Sequence, residues 1–163
     1  MNAALNRYLN DHLAGSAGAV DLIQTLADRA KEPEEKRFFI DLKAEVEKDR
    51  VMLKKLLETV GSGGSGMLQA AGNLTAKASR LKLAWEGLDP GKLGAFEALE
   101  ILVLGIQGKR VLWRMLGEIA GEIPEWAGID FAALEADAVR QRDAVEGKRL
   151  TAGRAALIPE EEE

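Results

Sequence analysis

The sequence predicts an all-α protein, built as a four-helix bundle of two antiparallel hairpins with an additional crossover helix. β-Branched residues are scattered instead of gathered into alternating runs, so the chain lacks the period of a strand. Only four prolines interrupt the 163 residues. Leu, Ala, Val and Ile supply most of the apolar residues, and they recur every three or four positions, which is the spacing of one helix face. Together these observations predict helices that pack face to face.

The first two helices form the first predicted hairpin. The first helix runs from about Asn2 to Ala30, where apolar or small residues follow one face: Leu5, Leu9, Leu13, Ala17, Val20, Ile23 and Ala27. The second helix starts at Pro33, because proline suits the first turn and the acidic Glu34 and Glu35 favour the positive end of the helix dipole. It ends where the glycine and serine run 61–66 begins.

A crossover over about 61–91 joins the two predicted hairpins. It carries an amphipathic helix from Met67 to Glu86, and the sequence Leu88-Asp89-Pro90-Gly91 indicates a turn at its end. The crossover helix is expected to pack on the bundle as a surface element.

The second hairpin is predicted from Lys92 onward. Its first helix runs to about Ala120 and is strongly apolar between Ala98 and Ile106, so it is expected to be the most buried element. Its second helix starts near Asp130, a favoured N-cap residue, and runs to about Ile158. The bundle therefore covers 1–158, and the acidic tail 159–163 is expected to be disordered.

Charge and residue content exclude several classes of function. The formal net charge of −5 disfavours binding to nucleic acid. The chain has no cysteine, which excludes disulfides, thiolate metal sites and cysteine nucleophiles. The longest apolar run, Ile101 to Ile106, is too short to span a bilayer. Residues 1–30 lack the pattern of a secretory signal, so the expected location is the cytoplasm, without integral membrane contact.

Four segments carry a resemblance to a known family. They are Tyr8-Leu9-Asn10-Asp11-His12-Leu13-Ala14-Gly15, Glu45-Val46-Glu47-Lys48-Asp49-Arg50, Phe96-Glu97-Ala98-Leu99-Glu100 and Gly108-Lys109-Arg110-Val111-Leu112-Trp113-Arg114. With the two-hairpin layout, the chain resembles the ferritin-like superfamily, closest to small bacterial proteins of that fold whose function is not assigned. The resemblance implies a bundle with one long crossover.

The same resemblance implies a dinuclear metal site, which this sequence does not provide. Such a site takes a Glu from each of two helices and a Glu-x-x-His motif from each of the other two. The chain has one histidine in total, and Glu45 is followed three residues on by Lys48, while Glu135 is followed by Ala138. The metal site is therefore degenerate, and ferroxidase, oxygenase and iron-storage activities are not expected.

A smaller polar set remains as the candidate site. His12 lies near the apolar face of the first helix, Asp49 lies among the apolar residues of the second with Glu45 one turn before it, and Glu100 lies in the most apolar stretch of the third. One interpretation is a mononuclear site in which these four residues bind one Fe, Mn or Zn ion. The favoured interpretation is a structural hydrogen-bonded pair between His12 and Asp49 in the core.

The sequence therefore leads to two hypotheses about function. The first is a non-enzymatic structural or partner-binding oligomer, expected as a homodimer or with another protein partner. The alternative is the mononuclear metal-binding protein. No catalytic residue and no bound cofactor is predicted. A polar line on the third helix, Glu97, Glu100, Gln107 and Arg114, is interpreted either as a subunit contact or as a solvated face with intrahelical pairs.

Overall fold

The computed structural model describes residues 3–61 and 91–158, and all regular structure within them is helical. The four long helices are α1 (Ala3–Arg29), α2 (Pro33–Thr59), α3 (Gly91–Ile119) and α4 (Phe131–Leu157). Two short 3-10 helices, Ala120–Glu122 and Pro124–Trp126, connect α3 to α4. The predicted all-α class is confirmed. The predicted crossover helix, the Pro90 turn residue and the acidic tail lie outside the described residues.

The helix ends follow local signals in the sequence. Pro33 occupies the first turn of α2, with Glu34 and Glu35 beside it. The side chain of Asp130 caps α4 by accepting a hydrogen bond of 2.9 Å from the backbone N–H of Ala133. Gly61 adopts a left-handed φ of 75° just after α2, where glycine pays no steric penalty. These ends match the sequence-based expectations to within a few residues.

Contacts between helices give their relative directions. Lys43, in the first half of α2, donates a 2.8 Å hydrogen bond to Gln24, in the second half of α1. Arg149, near the end of α4, pairs at 3.0 Å with Glu100, near the start of α3. Each helical pair, α1 with α2 and α3 with α4, is therefore antiparallel.

Two apolar layers make up the core, and every long helix contributes to both. The buried residues of the first layer are Leu22, Ile23, Leu26, Ala27, Phe39, Leu42, Val46, Ala98, Leu99, Leu102, Ile106 and Val145. Those of the second layer are Leu9, Leu13, Leu53, Leu56, Leu57, Leu112, Trp113, Leu116, Trp126, Phe131 and Ala138. Because α2 and α3 both run from the first layer to the second, they are parallel, while α1 and α4 run the opposite way.

The connection between α3 and α4 is anchored in the second layer. Trp126 is 1% exposed, and its indole Nε1 donates a 2.7 Å hydrogen bond to the Thr59 hydroxyl at the end of α2. Its ring lies 5.6 Å from that of Phe131, between centroids. A tryptophan in a short connection therefore ties the second hairpin to the first.

The two helices of the second hairpin approach closely at Gly153. A Cβ atom at this position would lie 2.8 Å from the ring of Phe96 on α3. Only glycine leaves room for the aromatic ring there, which accounts for a residue that otherwise disfavours the helix interior.

The expectation that the third bundle helix is the most buried element is wrong for its outer face. Leu104, in the middle of the apolar run, is 66% exposed, and Val111 and Met115 are also exposed. Because α3 packs against α1 and α4, it turns one side towards the core, and the other described helices leave its opposite side uncovered. Within the described residues, no helix is long and apolar enough to cross a membrane.

Candidate functional site: a buried polar layer

A polar layer separates the two apolar layers. In α2 the core-facing line reads Leu42, Val46, Asp49, Leu53 and Leu56. In α3 the equivalent line reads Leu102, Ile106, Lys109, Trp113 and Leu116, sixty residues further along the chain. In α4, Gln141 lies between the buried Ala138 and Val145. Each of these three helices therefore places one polar residue at the same level of the core.

Lys109 is the centre of this layer. Its ammonium Nζ lies 2.5 Å from Oδ2 of Asp49, and the two side chains are 15% and 14% exposed. The same ammonium donates a hydrogen bond to Oε1 of Gln141, which is almost fully buried. One cation from α3 thus binds one oxygen from α2 and one from α4.

The layer extends to the surface through Glu45. Gln141 donates from Nε2 to Oε2 of Glu45 at 2.8 Å, and Arg140 donates from Nη2 to the same oxygen at 2.9 Å. The orientation of the Gln141 amide is consistent with both neighbours, because its oxygen faces an ammonium and its nitrogen faces a carboxylate. Arg140 also pairs with Asp137 at 3.5 Å. The network therefore balances the charge of Lys109 against Asp49 in the core and continues as exposed ion pairs at the surface.

Burial and ion pairing compete in setting the pKa values of the two acids. Burial raises the pKa of Asp49, although the charge and hydrogen bond of Lys109 pull it down; the nearby Asp137 and Glu45 charges raise it further. Burial also acts to raise the pKa of Glu45, but the hydrogen bonds from Arg140 and Gln141 outweigh it and lower that pKa overall. Glu45 is therefore the better stabilised carboxylate.

His12 lies apart from the ion pair of the polar layer. Its ring packs edge-on against Tyr8 with 4.8 Å between centroids. No hydrogen bond or ion pair joins His12 to Asp49, and the structure gives Asp49 a different partner, Lys109. Burial lowers the pKa of His12, and the charge of Asp11 only partly opposes this. Burial therefore favours the neutral form of this half-buried imidazole.

We expect His12 to make stability depend on pH. Because its pKa is lower in the folded chain than the ordinary value of 6.5, the unfolded chain binds more protons between the two values. The contribution of His12 to the free energy of unfolding is fully present above pH 6.5, and it is lost as the pH falls through the lowered pKa of the folded chain. His12→Gln should therefore remove part of the decrease in unfolding free energy between pH 7.5 and 5, measured by urea denaturation. Tyr8→Phe, which keeps the neighbouring ring, should retain that decrease.

Glu100 is on the surface, so the expectation that it lies in the core is wrong. Its side chain is 48% exposed and pairs with Arg149 at 3.0 Å. Two other residues of the predicted polar line, Gln107 and Arg114, also pair within the chain. Gln107 accepts a 2.8 Å hydrogen bond from Arg142, and Arg114 lies 3.4 Å from Glu118. Glu100 fails as a core residue because it is one position, or about 100°, around the helix from the buried Leu99.

The structure does not bring the four predicted metal ligands together. Of His12, Asp49, Glu100 and Glu45, only Asp49 and Glu45 share the polar layer. Within residues 3–61 and 91–158, no group of three or more His, Asp or Glu side chains is arranged to hold a metal ion. Metal binding by this set stays a prediction that no contact described above favours.

Sequence reasoning missed Lys109 and Gln141. Lys109 is not among the predicted core or site residues, because charged residues are mostly exposed. A signal was nevertheless present, since Lys109 falls three residues after Ile106 and four before Trp113, both core positions. Gln141 has the same kind of spacing, three after Ala138 and four before Val145.

Comparison with known proteins finds no family model, curated protein or solved structure that matches the chain. Function is therefore inferred from the contacts of the described residues.

Proposed function

We propose that this chain is a non-catalytic, self-associating protein of ferritin-like helix order that forms a dimer through the outer face of α3. The observation that carries the proposal is an exposed apolar stripe on that face, formed by Leu104, Val111 and Met115. The buried charges of the polar layer neutralise one another, which suits a structural role for the core.

The helix directions support the ferritin-like order. In that arrangement two antiparallel hairpins are joined by one long crossover. Here α1 and α2 are antiparallel, α3 and α4 are antiparallel, and α2 runs parallel to α3. Gly61 and Gly91 consequently lie at opposite ends of the core, as a long crossover between the hairpins requires.

Gly108 lies in the stripe and favours contact with another helix. A Cβ atom at this position would meet nothing within 4 Å, so no contact of the described residues requires glycine there. Glycine costs a helix interior up to about 1 kcal/mol relative to alanine. Close approach of a second helix would offset that cost, because glycine lets two backbones come near each other.

The spacing of the stripe fits a second copy of the same chain. In an antiparallel pair related by a twofold axis, residues whose numbers add to the same total face each other. Leu104 then faces Met115 of the second copy, and Gly108 faces Val111. Side-chain volume is therefore complementary between two copies.

The overlap of the two α3 helices gives a small interface. Because α3 ends at Ile119, residues 100–119 of one copy face the same span of the other over about 30 Å. With a helix width of about 12 Å, the two facing strips bury on the order of 700 Å² in total. That is below the usual size of a stable protein interface, so we expect a weak dimer.

Val111→Glu tests the proposal. The wild-type chain should sediment as a dimer at a concentration of several hundred micromolar, and the variant should sediment as a monomer. Each variant dimer would bury two carboxylates without partners, which is expected to weaken association roughly thousand-fold. Sedimentation velocity measures the change, and circular dichroism checks that the helices are retained.

Val51→Glu is the matched control, because Val51 is an exposed valine on α2, away from the stripe. It should leave the dimer intact. A wild-type monomer at high concentration, or a dimer that tolerates glutamate at position 111, would show that the α3 face is not a self-association surface.

A further inference from the structure

We infer that the ammonium group of Lys109 is the resident cation of this core, and that it takes the position between Asp49 and Gln141 that a divalent metal ion would need. This inference goes beyond the proposed dimer and does not depend on it. It concerns the interior of one chain, whereas self-association concerns the outer face of α3.

The residues of the polar layer do not fit the metal site that the ferritin-like resemblance implies. Such a site gathers carboxylates and imidazoles from four helices. Here α2 supplies two carboxylates, Asp49 and Glu45, but α3 supplies an ammonium and α4 supplies an amide. His12 is not joined to any of them. A divalent ion placed among these groups would meet the positive charge of Lys109 at a few ångströms.

The contacts of Lys109 resemble those of a bound cation. Oxygens from two different helices converge on its Nζ, one from Asp49 and one from Gln141. Glu45 lies next in the network, held by the amide nitrogen of Gln141 at 2.8 Å, and it lies close enough for the charge of Lys109 to stabilise its ionised form. The oxygens of Asp49 and Gln141 are therefore held in place around the positive charge of Lys109.

Removing the ammonium leaves a site that suits a hard divalent cation. Asp49 and the amide oxygen of Gln141 are oxygen donors of the kind that Mg²⁺, Ca²⁺ and Mn²⁺ prefer, and Glu45 lies next to them in the network. Truncation of Lys109 to alanine also empties the volume of its side chain, in which an ion and its remaining water ligands can be accommodated. In the wild-type chain, the positive charge of Lys109 repels such an ion, and the lysine side chain fills the space that the ion would need.

Manganese binding to Lys109→Ala tests this inference. Free Mn²⁺ is followed by its electron paramagnetic resonance signal, which is lost on binding. The wild-type chain should show no stoichiometric Mn²⁺ binding. Lys109→Ala should bind one ion per chain, with an affinity at least 100-fold above any residual Mn²⁺ affinity of the wild-type chain. The double variant Asp49→Asn with Lys109→Ala should lose that binding.

Lys43→Ala is the matched control. Lys43 also donates to a glutamine oxygen, that of Gln24, and lies near a carboxylate, that of Glu47, but at the surface. Its removal should create no Mn²⁺ site. If Lys109→Ala is unfolded without metal, addition of Mn²⁺ should restore its helical circular dichroism.

Two results would overturn the inference. One is stoichiometric Mn²⁺ binding by the wild-type chain that Asp49→Asn abolishes. The other is a Lys109→Ala chain that takes up no Mn²⁺, whether it is folded from the start or stays unfolded in its presence.

Discussion

Lys109→Met is expected to lower the free energy of unfolding by about 3 kcal/mol at pH 7, because it leaves the carboxylate of Asp49 without its cation in the core. Methionine keeps most of the side-chain length, so the loss comes chiefly from the uncompensated charge. Asp49 is only 14% exposed, and solvent therefore screens it weakly. Urea denaturation of the two chains measures the difference.

Removing both charges should restore most of this stability. A buried ion pair is often replaced by apolar residues at little cost, whereas breaking it on one side is costly. We therefore expect the double variant Lys109→Met with Asp49→Leu to be close to wild type. Lys43→Met, at a surface lysine with similar partners, should change stability by less than about 1 kcal/mol. A double variant as unstable as the single one would contradict the assignment of the loss to an unpaired charge.

The loss in free energy of unfolding that Lys109→Met causes, relative to the wild-type chain, should also become smaller as the pH falls. Burial already raises the pKa of Asp49 in the wild-type chain above its ordinary value of 3.8, and loss of the lysine removes the main influence that lowers it. Between the ordinary pKa of Asp49 and its raised pKa in the folded variant, the folded chain binds more protons than the unfolded chain. The free energy of unfolding of the variant therefore gains from a fall in pH. If Lys109→Met loses the same free energy of unfolding at pH 7 and at pH 4.5, the loss does not come from the unpaired carboxylate of Asp49.

Trp126→Ala is expected to cost about 4 kcal/mol, which is the usual loss when a large buried aromatic side chain is removed. Trp126 fills the second apolar layer beside Phe131, and its indole N–H is bonded to Thr59. The alanine variant loses the packing and the hydrogen bond that join the α3–α4 connection to α2. Thermal and urea denaturation should both show the loss.

Trp126→Phe separates packing from hydrogen bonding. It retains most of the ring and removes only the donor to Thr59, so a loss of about 1 kcal/mol is expected. Leu150→Ala, at an exposed position on α4, should change stability by less than about 0.5 kcal/mol. Equal losses in the alanine and phenylalanine variants would show that the hydrogen bond, not the packing, anchors the connection.

Local features of the sequence were sufficient to predict the helices and their ends. Proline at position 33 and aspartate at position 130 act on the first turns of their own helices, within a few residues of themselves. The repeat of apolar residues every three or four positions then indicates which segments are long amphipathic helices. These interactions are short in range, so their effect is visible without knowledge of any other helix.

The candidate site could be predicted only in part. Asp49 and Glu45 were recognised because an acid among core-facing residues of one helix is visible in that helix alone. Glu100 was misplaced because a shift of one residue rotates a side chain by about 100° around the helix. The partner of Asp49 was missed because Lys109 is sixty residues away and belongs to another hairpin.

The sequence by itself therefore determined that this protein is all-helical, where the described helices begin and end, and which acids lie near the core of α2. Only the tertiary structure decided which side of α3 faces outward and which cation meets Asp49. The physical reason is that helix formation depends on neighbours along the chain. A buried ion pair and an exposed stripe, in contrast, depend on the rotation and register of helices that meet only after folding.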